Sequence, residues 1–141
     1  MHEKTVLSHS DAAFLIDTIR TRLEAEALGA AAAVVDEHGE LLAFIRTDGC
    51  RLPSIQIAIN KAYTAAREQI PSGELGRRSR EGGFPMTNFG ELRYVTWGGG
   101  LPIVINGVTV GALGVSGLPE AKDIEIAQSA LHALEQKQEG Q

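Results

Sequence analysis

The 141-residue chain predicts an α+β fold, a five-stranded antiparallel sheet with flanking helices. Three observations lead there. Asn106-Gly107 stands between two apolar runs, 101–105 and 108–115, and Asn-Gly tolerates the positive φ angles of a two-residue type I′ hairpin turn. Asp36-Glu37-His38-Gly39 separates the runs 30–35 and 41–45 in the same way, with a glycine where a left-handed residue is needed. Helix-period stripes lie outside both strand groups. Hairpins grouped in this way argue for an antiparallel sheet and against a doubly wound parallel one.

In chain order, Ser8 or Ser10 can cap a first helix whose apolar stripe is Ile16, Ile19, Leu23 and Ala27, ended by Gly29. The first hairpin follows. Pro53 suits the first turn of a second helix, and Pro71 stops it by removing a backbone donor. Its core stripe is Ile55, Ile59, Ala62 and Ala66, with Gln56, Asn60, Tyr63 and Arg67 on a polar face. Between Pro71 and Asn88 the chain is polar and glycine-rich, which predicts a short helix over 72–80 and then a loop. Residues 93–97 read as a third strand, leading into the Asn-Gly hairpin as strands four and five. Pro119, Glu120 and Asp123 mark the start of a last helix with Ile124, Ala127, Leu131 and Leu134 inward, and a frayed tail over 136–141. No linker or repeat divides the chain, so 1–141 is expected to be one domain, burying roughly two-thirds of the surface its unfolded chain exposes.

Composition narrows the function. Net charge is −5 and aromatics make up 5%, a poor match to the basic face that nucleic-acid binding needs. The single cysteine, Cys50, excludes an internal disulfide and a cysteine-based zinc site. His2, His9, His38 and His132 are scattered, with none at paired metal spacing, so no metal site is expected from them. No basic-then-apolar leader opens the chain and no run reaches about 20 apolar residues, which predicts a soluble, cytoplasmic protein without membrane partners. P-loop, dinucleotide, nucleophile-elbow and HExxH patterns are absent.

Glycine density is the strongest pointer to a site. Gly98, Gly99 and Gly100 precede the second hairpin, and Gly111, Gly114 and Gly117 punctuate its far arm. Glycine weakens a strand, so this density signals close approach by another backbone or by a ligand. The triple glycine reads in two ways, as amides facing an anion or as a sharp turn between strands. Ser116-Gly117 delivers a strand to a helix start, where an anion is favoured, or Ser116 simply caps that helix. On the second helix Lys61 is the preferred basic residue, able to bind a carboxylate or act in acid–base chemistry if desolvated. Glu91, Arg93, Tyr94 and Trp97 lead to the glycine loop. On a strand, Arg93 and Trp97 share a face, suiting a flat ligand held by its carboxylate. Arg77, Arg78 and Arg80 form the one basic cluster, either steering an acidic ligand or merely solvated.

Four pieces in this order, AAAVVDEHGELLAFIRTDG, SIQIAINKAYTAA, WGGGLPIVINGVTVGALGVSG and KDIEIAQSAL, resemble the GlcG/HbpS family of haem-binding-like proteins, related to the C-terminal domain of PduO-type proteins. The resemblance spans nearly the whole chain, and the third piece is its most specific part. It implies a profilin-like fold and a homo-oligomer. It also implies a small-molecule ligand, planar and carboxylate-bearing, with haem or another tetrapyrrole as the cofactor. The ligand-binding residues on this reading are Lys61, Arg93, Trp97, Gly98, Gly99, Gly100, Ser116 and Gly117. A different branch of the family implies a cofactor-free lyase on a small aromatic substrate such as 4-hydroxylaminobenzoate, or an enzyme on a hydroxy acid. Lys61 or Glu91 would then shuttle the proton. Fold alone does not choose between them.

Overall fold

The computed structural model describes residues 1–140. The elements run α1 (His9–Ala25), β1 (Ala31–Asp36), β2 (Leu41–Arg46), α2 (Leu52–Glu68), α3 (Ser72–Gly82), a 3-10 turn (Met86–Phe89), β3 (Gly100–Ile105), β4 (Val108–Ser116) and α4 (Glu120–Glu139). The sheet has four strands in the order β2-β1-β4-β3, every neighbour antiparallel. Both predicted hairpins form. Asn106 and Gly107 have φ of 51° and 78°, as a type I′ turn requires, and Gly39 is at 91°.

Strand alternation sends side chains to two cores. Ala32 and Val34 of β1 join Val115 and Leu113 of β4 beneath α1 and α4. Ala33 and Val35 face α2, meeting Ala62, Ala65 and Ala66. The second core is built from small residues because α2 lies almost on the sheet backbone. A Cβ on Gly114 would collide with the Ala58 carbonyl oxygen, and one on Gly100 with the Lys61 carbonyl oxygen. Gly100 and Gly114 are thus accounted for by the approaching backbone of α2, whereas a Cβ on Gly111 would meet the Val35 carbonyl oxygen of β1.

The sheet has four strands, not five. Residues 93–97 are not a strand: they run along α2, where the Thr64 hydroxyl accepts the Val95 N–H at 2.9 Å and the Tyr94 hydroxyl donates to Glu68 at 2.7 Å. Arg93 and Trp97 therefore do not share a strand face. The first helix stops at Ala25, before Gly29. Ala27 turns left-handed (φ 53°) and exposed, while the Leu28 N–H bonds back to the Leu23 carbonyl, closing the last turn. The inward face of α2 is centred on Ala58, Lys61, Ala62 and Ala65, leaving Ile55 and Ile59 half-buried; Tyr63, read as polar surface, is buried. In α4 the inward face is Asp123, Ile126, Ala127, Ala130 and Leu134, with Ile124 and Leu131 half-buried. That helix continues through Glu139, beyond the expected fraying point. No helix among the described residues is long and apolar enough to cross a membrane.

Candidate functional site

The N-terminal ends of α2 and α4 converge on one cleft of about 730 Å³. Arg51, Pro53, Ser54, Ile57 and Lys61 line it from the α2 side, and Pro119, Glu120 and Asp123 from the α4 side. Ser116 and Gly117 at the end of β4 form its floor, and Trp97 and Gly98 form a wall. Both helices begin with a proline in or just before the first turn, which suits the start of a helix because its missing N–H has no intrahelical partner there. Two positive dipole ends therefore face one space. Arg51 occupies the N-cap position of α2, makes no capping bond through its side chain, and has no carboxylate partner among the described residues.

Lys61 and Asp123 form the base of the cleft. The Lys61 ammonium donates to the Val115 carbonyl at 2.8 Å and to Asp123 Oδ2 at 3.2 Å. The other Asp123 oxygen accepts the Leu118 N–H at 3.2 Å, fixing the turn between β4 and α4. Burial works against both charges. It pulls the Lys61 ammonium below its ordinary pKa, and it pushes the Asp123 carboxyl above its own. Each partner's charge opposes the other's shift.

The triple glycine is not a free anion cradle. The Gly98 N–H donates to Glu120 Oε2 at 3.0 Å, the Gly100 N–H donates to the Ser72 hydroxyl at 2.9 Å, and the Gly99 carbonyl accepts the Val115 N–H at 3.0 Å. Gly99 and Gly100 lie behind the cleft wall, outside the lining. Ser116 does not cap α4, whose N-cap is Pro119.

Glu91 and Arg93 belong to a different cluster. The Tyr63 hydroxyl donates to Glu91 Oε1 at 2.6 Å, Arg93 donates to Glu91 at 2.9 Å and to the Tyr63 hydroxyl at 2.9 Å, and its guanidinium sits 4.0 Å from the Tyr63 ring centroid. Neither residue lines the cleft. Arg93 and Tyr63 hold the Glu91 carboxyl down at about 2, too low for an effective base near neutral pH. Arg77 and Arg78 are tied to Glu74 on the exposed face of α3. All four histidines are exposed, and burial pushes the Cys50 thiol up, away from nucleophilic use.

Of the residues expected at the site, the structure gathers Lys61, Trp97, Gly98, Ser116 and Gly117. Arg51, Glu120 and Asp123 line the cleft as well, beyond the residues expected from sequence. The two acids carry a visible signal, since Glu120 and Asp123 stand at a helix start that Ser116-Gly117 leads into. Arg51 lies two residues before the proline that opens α2, a placement that aims it at that helix terminus.

The family model described as haem degrading protein HbpS-like matches residues 7–132. The chain belongs to the HbpS-like family. Among its relatives, the protein GlcG of Escherichia coli strain K12 is 35% identical over 122 residues, covering 82% of this chain and 85% of GlcG. The crystal structure of protein ORFY of Klebsiella pneumoniae superposes with a TM-score of 0.88 at 25% identity, covering 96% of this chain and 94% of ORFY. A crystal structure of a PduOC–haem complex superposes at 0.84 with 28% identity, covering 92% of this chain and 95% of that one. The cleft offers the Arg51 guanidinium to a carboxylate and the Trp97 ring to a flat face. It does not suit a haem iron, because no His, Cys, Met or Tyr is among its lining residues.

Proposed function

We propose that this protein binds a small planar molecule bearing a carboxylate, with haem and other tetrapyrroles as the leading ligand class. The convergence of two helix N-termini on the unpartnered Arg51 carries the reading. Such a site prefers an anion, and Arg51 is placed to meet a carboxylate with two parallel N–H groups. Trp97, 62% exposed on the cleft wall, offers a ring face for stacking. Membership of a family described as haem-degrading, and likeness to a protein solved with haem, favour the tetrapyrrole class. Any iron ligand would come from outside the cleft lining. Of the two residues that the lyase reading names, Glu91 lies outside the cleft and Lys61 lines it, and neither the family description nor the haem-bound relative favours that reading.

The proposal includes a homo-oligomer, and a location in the cytoplasm. Phe84, Phe89 and Leu92 expose large apolar side chains along one segment, a surface that a second subunit would cover. Titration with haemin, followed by the Soret band and by quenching of Trp97, tests the binding. Saturable binding with quenching supports the reading. Non-saturating association with no quenching sinks it. Light scattering of the same sample gives the mass, and a monomer removes the oligomer.

A further inference from the structure

Lys61 is an unusual lysine for this chain. It lines a cleft wide enough for a small molecule while its side chain is only 3% exposed. Two protein acceptors, Val115 O and Asp123 Oδ2, engage it, out of three N–H groups it can offer. Gly99 carries no side chain at this point; a Cβ there would stand 2.9 Å from Nζ. The other lysines are conventional surface cations: Lys4 pairs with Glu37, Lys122 with Glu26 and Lys137 with Asp11.

We propose that Lys61 captures carbonyl compounds, its Nζ condensing with the aldehyde or ketone group of a planar, carboxylate-bearing molecule seated in the cleft. The inference rests on the cleft being the anion-binding site described above and adds a covalent step to it. Asp123, 3.2 Å away, accepts a proton from the ammonium and frees the amine lone pair. The amine attacks the carbonyl carbon as its π bond breaks, a C–N bond forms, and the carbonyl oxygen takes a proton from the newly bonded nitrogen to become the hydroxyl of a carbinolamine. Asp123 returns its proton to that hydroxyl, which leaves as water while the nitrogen lone pair closes the C=N bond. In sum, an ammonium and a carbonyl give a protonated imine and one water, with no oxidant or reductant. Desolvation of Lys61 favours the neutral amine that the first bond needs. Arg51 and the two helix ends supply the opposite anchor, holding the carboxylate while the carbonyl faces the amine.

The test is reductive trapping on the intact protein with 4-carboxybenzaldehyde and sodium cyanoborohydride at neutral pH, with labelled lysines quantified by peptide mass spectrometry. Lys61 is expected to label faster than Lys4, Lys122 and Lys137 by about tenfold or more, the advantage of an amine held beside an anchored carbonyl. Benzaldehyde, which lacks the carboxylate anchor, is expected to lose that preference, and Asp123→Asn to slow labelling at Lys61. Labelling that follows exposure, with Lys61 last, overturns the proposal. Benzoate quenching of Trp97 separates the two possible failures. Quenching without Lys61 labelling removes imine formation alone, while neither quenching nor labelling removes the anion-binding cleft as well.

Discussion

Lys61 Nζ lies 3.2 Å from Asp123 Oδ2, and each side chain is only 3% exposed. The pair joins α2 to α4 beneath the cleft. Removing one member leaves the other as an uncompensated buried charge. Lys61→Met is expected to cost about 3–5 kcal/mol in urea unfolding, and Lys61→Met with Asp123→Leu much less, because both charges are then gone. A single-variant loss below about 1 kcal/mol would mean the pair is solvated like a surface bridge.

Arg51 is predicted to act on affinity and not on stability. With no capping bond and no carboxylate partner among the described residues, Arg51→Ala should leave the melting temperature unchanged. It should weaken haemin binding by about tenfold or more, the loss of a charged hydrogen bond worth about 1.5–3 kcal/mol. Raising the salt concentration should weaken the wild type and have less effect on the variant. Equal affinities in the two proteins would remove Arg51 from the site.

Trp97 is the only tryptophan in the chain and it lines the cleft, so fluorescence reports occupancy directly. Trp97→Ala is expected to lose about 0.5–1.5 kcal/mol of binding from stacking alone, and Trp97→Phe to keep most of it. Equal affinity for all three side chains would show that the ligand does not contact this wall.

Two glycine substitutions should differ in size. Gly114→Ala drives a methyl into the Ala58 carbonyl oxygen, a backbone atom that no rotamer change can move. Its cost should reach the upper end of overpacking, about 3 kcal/mol. Gly107→Ala meets no atom and pays only for its left-handed φ of 78°, about 1–2 kcal/mol. Melting temperatures that place the two in the opposite order would contradict the close seating of α2 on β4.

Acid should destabilise the fold in a defined window. Glu91, held by Arg93 and Tyr63, and Glu74, held by Arg77 and Arg78, each have carboxyl pKa values lowered to about 2 in the folded chain. A depressed carboxylate adds stability that is fully present above its unfolded pKa, and that is lost as pH falls from about 4.5 towards about 2. Glu91→Gln should flatten the fall in melting temperature across that window and leave its slope near neutral pH unchanged. An identical acid slope in wild type and variant would show that Glu91 contributes nothing.

Much of this protein was legible along the chain because it depends on local torsion. The Asn106-Gly107 turn, the Gly39 turn, the proline starts of α2 and α4, and the short helix after Pro71 each follow from what a few neighbouring residues permit. Lys61, Trp97 and Ser116-Gly117 could also be singled out, by residue type and by their place beside glycines or a helix start. Tertiary packing decided the rest. The stretch 93–97 carries strand-forming residues, yet Thr64 and Glu68 on α2 take its polar groups and keep it out of the sheet. Gly100 and Gly114 announced a close approach without saying that α2 was the element approaching. Glu91 and Arg93 precede the glycine loop closely in sequence, but Tyr63 draws them into a cluster outside the cleft. Asp123 meets Lys61 across 62 positions of chain, a distance over which no periodicity carries information. Local sequence sets which conformations a segment can adopt. Which side chains share a buried space, and so which charges must pair there, is settled only when the helices pack on the sheet.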